Sequence, residues 1–309
     1  QGDLDGQWTM PSNGSGPGTV DLQGRFARVE LARVQRYLPL SLSKDLRDYV
    51  REAVVSGQIS DGQIRVRGDL RDFPFRQPAN GEFRISTRVS DVSYAYVPRN
   101  LARGPVAWRA LSGLSGELVF DRTSMQINGA RGGFAGAPGL QLQADAAIAD
   151  FAAGVVTVNG QVRGLLSESL AVFNASPVAA AMGQPFAGAT ASGSAELRLR
   201  LAVPLAQPDR STVQGSVTFA NNDLQITPDL PLLARLRGAV AFTENSFSIA
   251  GGQARILGGE ARIEGGTRPV VANSFEPATL IRIQGTASAE GLRQTRELGT
   301  VARMARHTS

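Results

Sequence analysis

The sequence predicts an all-β fold with a few short helices, laid out as an antiparallel meander. Three observations carry this. Apolar and polar residues alternate with period 2 over many short runs. Gly, Asn and Asp punctuate those runs at intervals of about 8–12 residues. Helical spacing of apolar residues is rare. Alternation of this kind marks strands with one covered and one wet face, as antiparallel sheets have, whereas buried parallel strands are apolar throughout.

The elements follow in order. Leu42, Leu46, Tyr49/Val50 and Ala53 share one helical face, with Ser41 or Ser43 as N-cap and Gly57 as stop, which predicts an amphipathic helix near 43–56. Ile64, Val66, Gly68 and Leu70 then alternate with Arg65, Arg67 and Asp69, and Phe83, Ile85, Thr87 and Val89 alternate with Arg84, Ser86 and Arg88. Further series run through Leu140–Ile148, Val156–Val162, Leu197–Val203, Val213–Phe219 and Ile281–Ala287. Six turn signals separate them: Ser60-Asp61-Gly62, Ala79-Asn80-Gly81, Gly132-Gly133, Asn221-Asn222-Asp223, Gly251-Gly252 and Gly265-Gly266. The template yields roughly fifteen to eighteen strands. Short helices are expected near 166–174 and 178–183, broken at Pro177, and residues 292–309 read as a flexible or helical tail.

An internal repeat is visible. Leu114, Gly116, Phe120, Met125, Ile127 and Gly129 match Leu236, Gly238, Phe242, Phe247, Ile249 and Gly251 at a constant offset of 122 residues. Repeat-like β units are expected near 81–165 and 209–290, within one continuous elongated β domain spanning 1–309. Repetition of β units points to a stacked, extendable architecture.

Composition removes most chemistry. The chain of 309 residues has no Cys and one His, His307, so disulfides, thiolate sites, a Ser-His-Asp triad and a multi-His metal site are excluded or nearly so. Lys44 is the only Lys and has no glycines before it, which leaves neither a P-loop nor a Schiff-base lysine. Paired carboxylates with aromatic sugar platforms are not evident, since Trp8 and Trp108 are the only tryptophans. Gly251–Gly259 lacks the strand-turn-helix context of a dinucleotide site, and Asn221–Asp223 is too short for a calcium loop. The reading is therefore not an enzyme, with no cofactor, no catalytic residue and no metal. The pI of 10.3 accompanies a net charge of only +5, with Arg interleaved among Asp and Glu, so nucleic acid is not the expected partner. No apolar run reaches the ~18 residues of a membrane-spanning helix. A start at Gln1 suggests a piece of a longer protein.

Tyr94, Tyr96 and Trp108 form an aromatic group that either stacks a ligand or covers a sheet end. The larger question is how so many one-sided strands bury their apolar faces. A second sheet, closure into a barrel, or a long curved sheet holding apolar guests would each serve.

The order of Tyr37-Leu-Pro-Leu40, Gly62 to Gly68, Leu70-Arg-Asp-Phe-Pro-Phe75, Gly81-Glu-Phe-Arg-Ile85, Val92-Ser-Tyr-Ala-Tyr96, Ala175-Ser-Pro177, Gly193 to Leu205 and Gly238 to Glu244 resembles the AsmA-like superfamily, specifically the YhdP-type proteins of Gram-negative bacteria. The resemblance covers most of residues 20–291. It implies a long curved antiparallel β-meander forming an elongated apolar groove of the repeating β-groove type. It also implies a periplasmic lipid-transfer bridge whose full-length form is anchored in the inner membrane by segments outside this chain. Such a bridge shields phospholipid acyl chains between the two membranes and supports the outer-membrane barrier. On this reading Phe83, Ile85, Ile127, Leu199, Leu201, Ile249 and Ile283 line the groove. The rival is an extracellular structural or adhesive β-protein with a closed sandwich or solenoid core, which would repeat every ~20–30 residues.

Overall fold

A computed structural model describes residues 2–12, 14–37, 44–102, 105–268 and 279–294. The first strands are β1 (Gly2–Thr9), β2 (Thr19–Phe26) and β3 (Val29–Glu30), followed by helix α1 (Lys44–Ala53) and strands β4 (Val54–Asp69) and β5 (Gly81–Tyr94). Next come β6 (Leu111–Asp121), β7 (Ser124–Phe134), β8 (Ala137–Ile148) and β9 (Val155–Leu165). Helices α2 (Leu166–Asn174) and α3 (Pro177–Ala181) precede β10 (Thr190–Ser192), β11 (Ser194–Pro204) and β12 (Thr212–Gln225). The chain continues through β13 (Leu233–Thr243), β14 (Phe247–Ile256), β15 (Gly259–Thr267), β16 (Thr279–Gly285) and α4 (Ala289–Gln294). The fold is thus an antiparallel β-meander with few helices, as expected. In the first half of the chain the strand order is one path, β1-β2-β4-β5-β6-β7-β8, with β3 on β4; in the second half another path runs β12-β13-β14-β15-β16, with β10 on β12.

The chain divides into two compact units, residues 1–160 with 201–211, and residues 161–200 with 212–309. In the first unit α1 is held by Lys44–Asp48 and Arg51–Asp48 ion pairs at 2.6 and 2.9 Å. Its Tyr49 hydroxyl meets the Tyr94 hydroxyl at 2.6 Å and donates to the Tyr96 carbonyl at 3.2 Å. Tyr96 in turn packs edge-on to Trp108 at 5.8 Å. The aromatic group therefore fastens a helix over the end of β5. In the second unit Ser176 caps α3 by accepting from the Ala179 N–H at 3.2 Å, and Pro177 occupies its first turn. Pro177 thus starts a helix as well as ending the one before.

Five of the six turn signals require correction. Only Ala79-Asn80-Gly81 leads into a strand; the other five lie inside β4, β7, β12, β14 and β15. Four coincide with register shifts, between Ser60 and Gln63, between Gly132 and Phe134, around Asn222 and between Ile249 and Gly252. Gly265 and Gly266 sit in regular pairing. The local chemistry that permits a tight turn also permits a bulge, and a bulge lets a long strand bend without ending. Thr87 shows how a bulge is satisfied: buried on the sheet, its hydroxyl donates to the Ser60 carbonyl at 2.9 Å. The reversals that do occur use other residues. Leu257 and Gly258, both with positive φ (52° and 78°), close the two-residue turn between β14 and β15.

Candidate functional site

Cross-strand partners in a sheet share a face, so the registers define the surface of each unit. In the first unit Leu4 pairs with Gly24, Gly24 with Ile64, Ile64 with Ile85, Ile85 with Phe120, Phe120 with Met125 and Met125 with Ile148. This apolar row crosses seven strands, about 29 Å at ~4.8 Å per strand. A neighbouring row runs Leu22–Val66–Phe83, and another runs Thr87–Leu118–Ile127–Ala146. Most of these side chains are only half-buried, although Val66, Thr87 and Ile148 are buried and Leu4 is exposed. All described strands of the unit belong to one sheet, so among the described residues no second sheet covers the face.

The other face is charged. Asp21 bonds Arg65, Arg84 meets Asp121 at 2.8 Å, and Glu117 accepts from Asn128 at 3.0 Å. The Arg65 hydrogen bond, with the charges of Arg65 and Arg67, holds the Asp21 carboxyl below the usual carboxylate range. These exposed pairs each add little stability. They keep this face polar, in contrast to the apolar rows on the other side of the sheet.

One end of the apolar face carries aromatic loops. Phe75 is fully buried, and its ring stands on the paired glycines Gly68 and Gly81. Phe73 tilts against Phe83 at 5.0 Å, and Phe151 stacks on Phe120 at 6.4 Å. Arg76 and Asp150 link the two loops at 3.6 Å.

In the second unit Val217 pairs with Val240, Val240 with Ile249 and Ile249 with Gly265. Ile263 pairs with Ile283 on the same face of β15 and β16. Here part of the face closes into a core of Leu236, Ala254, Ile256, Ala261 and Ile263. Glu196 on this unit is held below its usual range by hydrogen bonds from Arg198, Gln161 and Arg163.

Of the sequence-selected residues, Phe83, Ile85 and Ile127 thus share one face of the first unit, and Ile249 and Ile283 one face of the second. Leu199 and Leu201 are half-buried on β11, and Ile283 is 54% exposed on the last strand of the path. Among the described residues no group of His, Asp and Glu could hold a metal ion. No described helix is long and apolar enough to cross a membrane.

A family model described as YhdP protein matches residues 2–305. The chain belongs to the YhdP family. A curated relative, the intermembrane phospholipid transporter YhdP of Escherichia coli (strain K12), is 27% identical over 210 residues, 67% of this chain and 16% of the relative. The chain therefore spans about a sixth of that relative's length. No solved structure matches. Two aromatics that shape the surface in this YhdP-family chain, Phe73 and Phe151, are not singled out by alternation, because both lie in loops. The Phe-Pro-Phe sequence of residues 73–75 is the one signal that could have drawn attention to the first of them.

Proposed function

We propose that this chain is a segment of a periplasmic bridge that carries phospholipid between the inner and outer membranes and so supports the outer-membrane barrier. Acyl chains lie on the apolar sheet face, and headgroups stay in water. Phe83, Ile85, Ile127, Leu199, Leu201, Ile249 and Ile283 line that surface, and the two 122-offset hairpins are copies of one repeating unit. Anchoring belongs to segments outside this chain. The work is physical carriage, with no covalent step and no cofactor.

The observation that carries this reading is the seven-strand apolar row of the first unit, mostly half-buried, without a second sheet among the described residues, and backed by a charged face. Each CH₂ moved from water onto such a surface contributes about 0.8 kcal/mol, so a long acyl chain suits it without any hydrogen-bonding site. The name of the E. coli relative supports the same cargo.

Native mass spectrometry of the chain purified from a lipid-replete host tests it. Co-purifying phospholipid is expected. Ile127→Asp or Ile249→Asp should remove most of it while circular dichroism stays folded. A lipid-free chain, or unfolding by both aspartates, overturns the reading.

A further inference from the structure

We infer that Phe73 and Phe151 form an aromatic rim that grips an acyl chain where it reaches the turn-side end of the first unit's apolar face, with Arg76 and Asp150 latching the two loops together. This rests on the acyl-chain reading above and adds residues that determine how long a lipid stays.

The loop that carries Phe73 is built around an anchor. Phe75 holds a left-handed backbone, φ 60°, which bulky residues rarely adopt. Its ring is fully buried against Gly68 and Gly81, where an added Cβ would lie 2.7 and 2.6 Å from ring atoms. Two residues earlier, Phe73 remains 47% exposed although it touches both Phe75 and Phe83. The loop thus buries one ring and presents the other.

The second loop repeats the arrangement with different means. Phe151 N–H donates to the Thr123 carbonyl at 2.8 Å, and Ala152 N–H donates to the Asp150 carboxylate at 2.9 Å. Its ring is 46% exposed while stacked on Phe120. Phe83 and Phe120 both belong to the apolar face, so both exposed rings overhang that face from the same end of its strands. Arg76 and Asp150 neutralise each other, which leaves the rim with aromatic carbon and a compensated ion pair. A hydrocarbon chain fits such a rim.

The test loads the purified chain with phosphatidylethanolamine bearing a fluorescent acyl chain and follows its release to excess phosphatidylcholine vesicles. Phe73→Ala and Phe151→Ala should each speed release about five- to tenfold, as loss of an aromatic contact of ordinary strength would. Phe73→Leu and Phe151→Leu should lie between alanine and wild type and melt at the wild-type temperature. Arg76→Glu and Asp150→Arg should each speed release about two- to threefold, and their combination should restore it, in keeping with an exposed ion pair. A phospholipid carrying a diazirine at its acyl terminus should label peptides containing Phe73 and Phe151. Wild-type release rates in both alanine variants, while Ile127→Asp still empties the chain of lipid, would overturn the rim and leave the apolar surface standing. Labelling of the rim by a second polypeptide and not by lipid overturns it too. Failure of the wild-type chain to take up lipid at all removes the rim together with the reading beneath it.

Discussion

The hairpins β6–β7 and β13–β14 have nearly the same backbone and different packing. Phe120 pairs with Met125 as Phe242 pairs with Phe247, and Leu118 with Ile127 as Val240 with Ile249. The irregularities coincide as well. Pairs Glu117–Asn128, Ser115–Arg131 and Ser112–Gly133 correspond, 122 residues on, to Ala239–Ala250, Arg237–Gln253 and Ala234–Arg255. Even the left-handed positions recur, Gly129 with Gly251 (φ 58° and 61°) and Gly113 with Arg235 (φ 60° and 52°). Burial diverges all the same. Leu236, Ala254 and Ile256 are buried, while Leu114, Gly132 and Phe134 at the same positions are half-buried. At the turn-side end the contrast reverses: Phe120 receives Phe151 from a loop, and Phe242 folds onto Gly215 of its own sheet. One backbone repeat therefore supports a core in one place and an open surface in another, according to what neighbouring segments bring.

The largest test of that contrast compares two leucines. Leu236→Ala should cost about 3 kcal/mol, because a packed cluster collapses poorly, whereas Leu114→Ala should cost only about 1 kcal/mol. Urea denaturation of each variant measures both; equal losses would break the comparison.

A smaller effect sharpens the backbone side. Gly129→Ala and Gly251→Ala meet no neighbouring atoms, yet each places a side chain in the left-handed region, so each should cost about 1 kcal/mol and by nearly the same amount. Arg235→Gly should restore up to ~1 kcal/mol by removing the strain that Gly113 avoids, less the entropy that glycine returns to the unfolded chain. Unequal costs at Gly129 and Gly251 would mean that the two bulges are not equivalent.

The smallest effect is local and alkaline. Tyr94 pairs with Leu111 at the start of the first hairpin, and burial, with the neighbouring Tyr49, pushes its pKa up. Burial raises Tyr49 also and carries Tyr96 up to about 12. Unfolded tyrosines ionise near ~10, so this stabilisation is fully present below that pH and is lost as pH rises through the folded values. All four tyrosines lie in the first unit. Hydrogen exchange measured between pH 9 and 12 should therefore show protection lost around α1 and β5 while β13–β14 is unaffected. Tyr94→Phe should reduce that loss.

Much of this was legible in the sequence. Alternation such as Phe83/Arg84/Ile85/Ser86 assigns sides to a strand without reference to any partner, and the constant offset between Leu114 and Leu236 marks matching hairpins before either is paired. Helix α1 follows from its apolar spacing, but it ends at Ala53, and Gly57, read as its stop, lies inside β4. The glycine signals were harder. Gly251-Gly252 has the chemistry of a turn, and only pairing with β13 and β15 makes it a bulge inside a strand. The aromatic loops received no face from alternation, because Phe73 and Phe151 belong to no period.

The sequence by itself determined which side chains share a face, because the two-residue period of a strand is a local property of the backbone. Which parts of that face are closed was decided by the tertiary structure, since burial depends on segments distant in sequence. Leu236 is core because Ala254, Ala261 and Ile263 close around it, and Phe120 is roofed because a loop some thirty residues later places Phe151 on it.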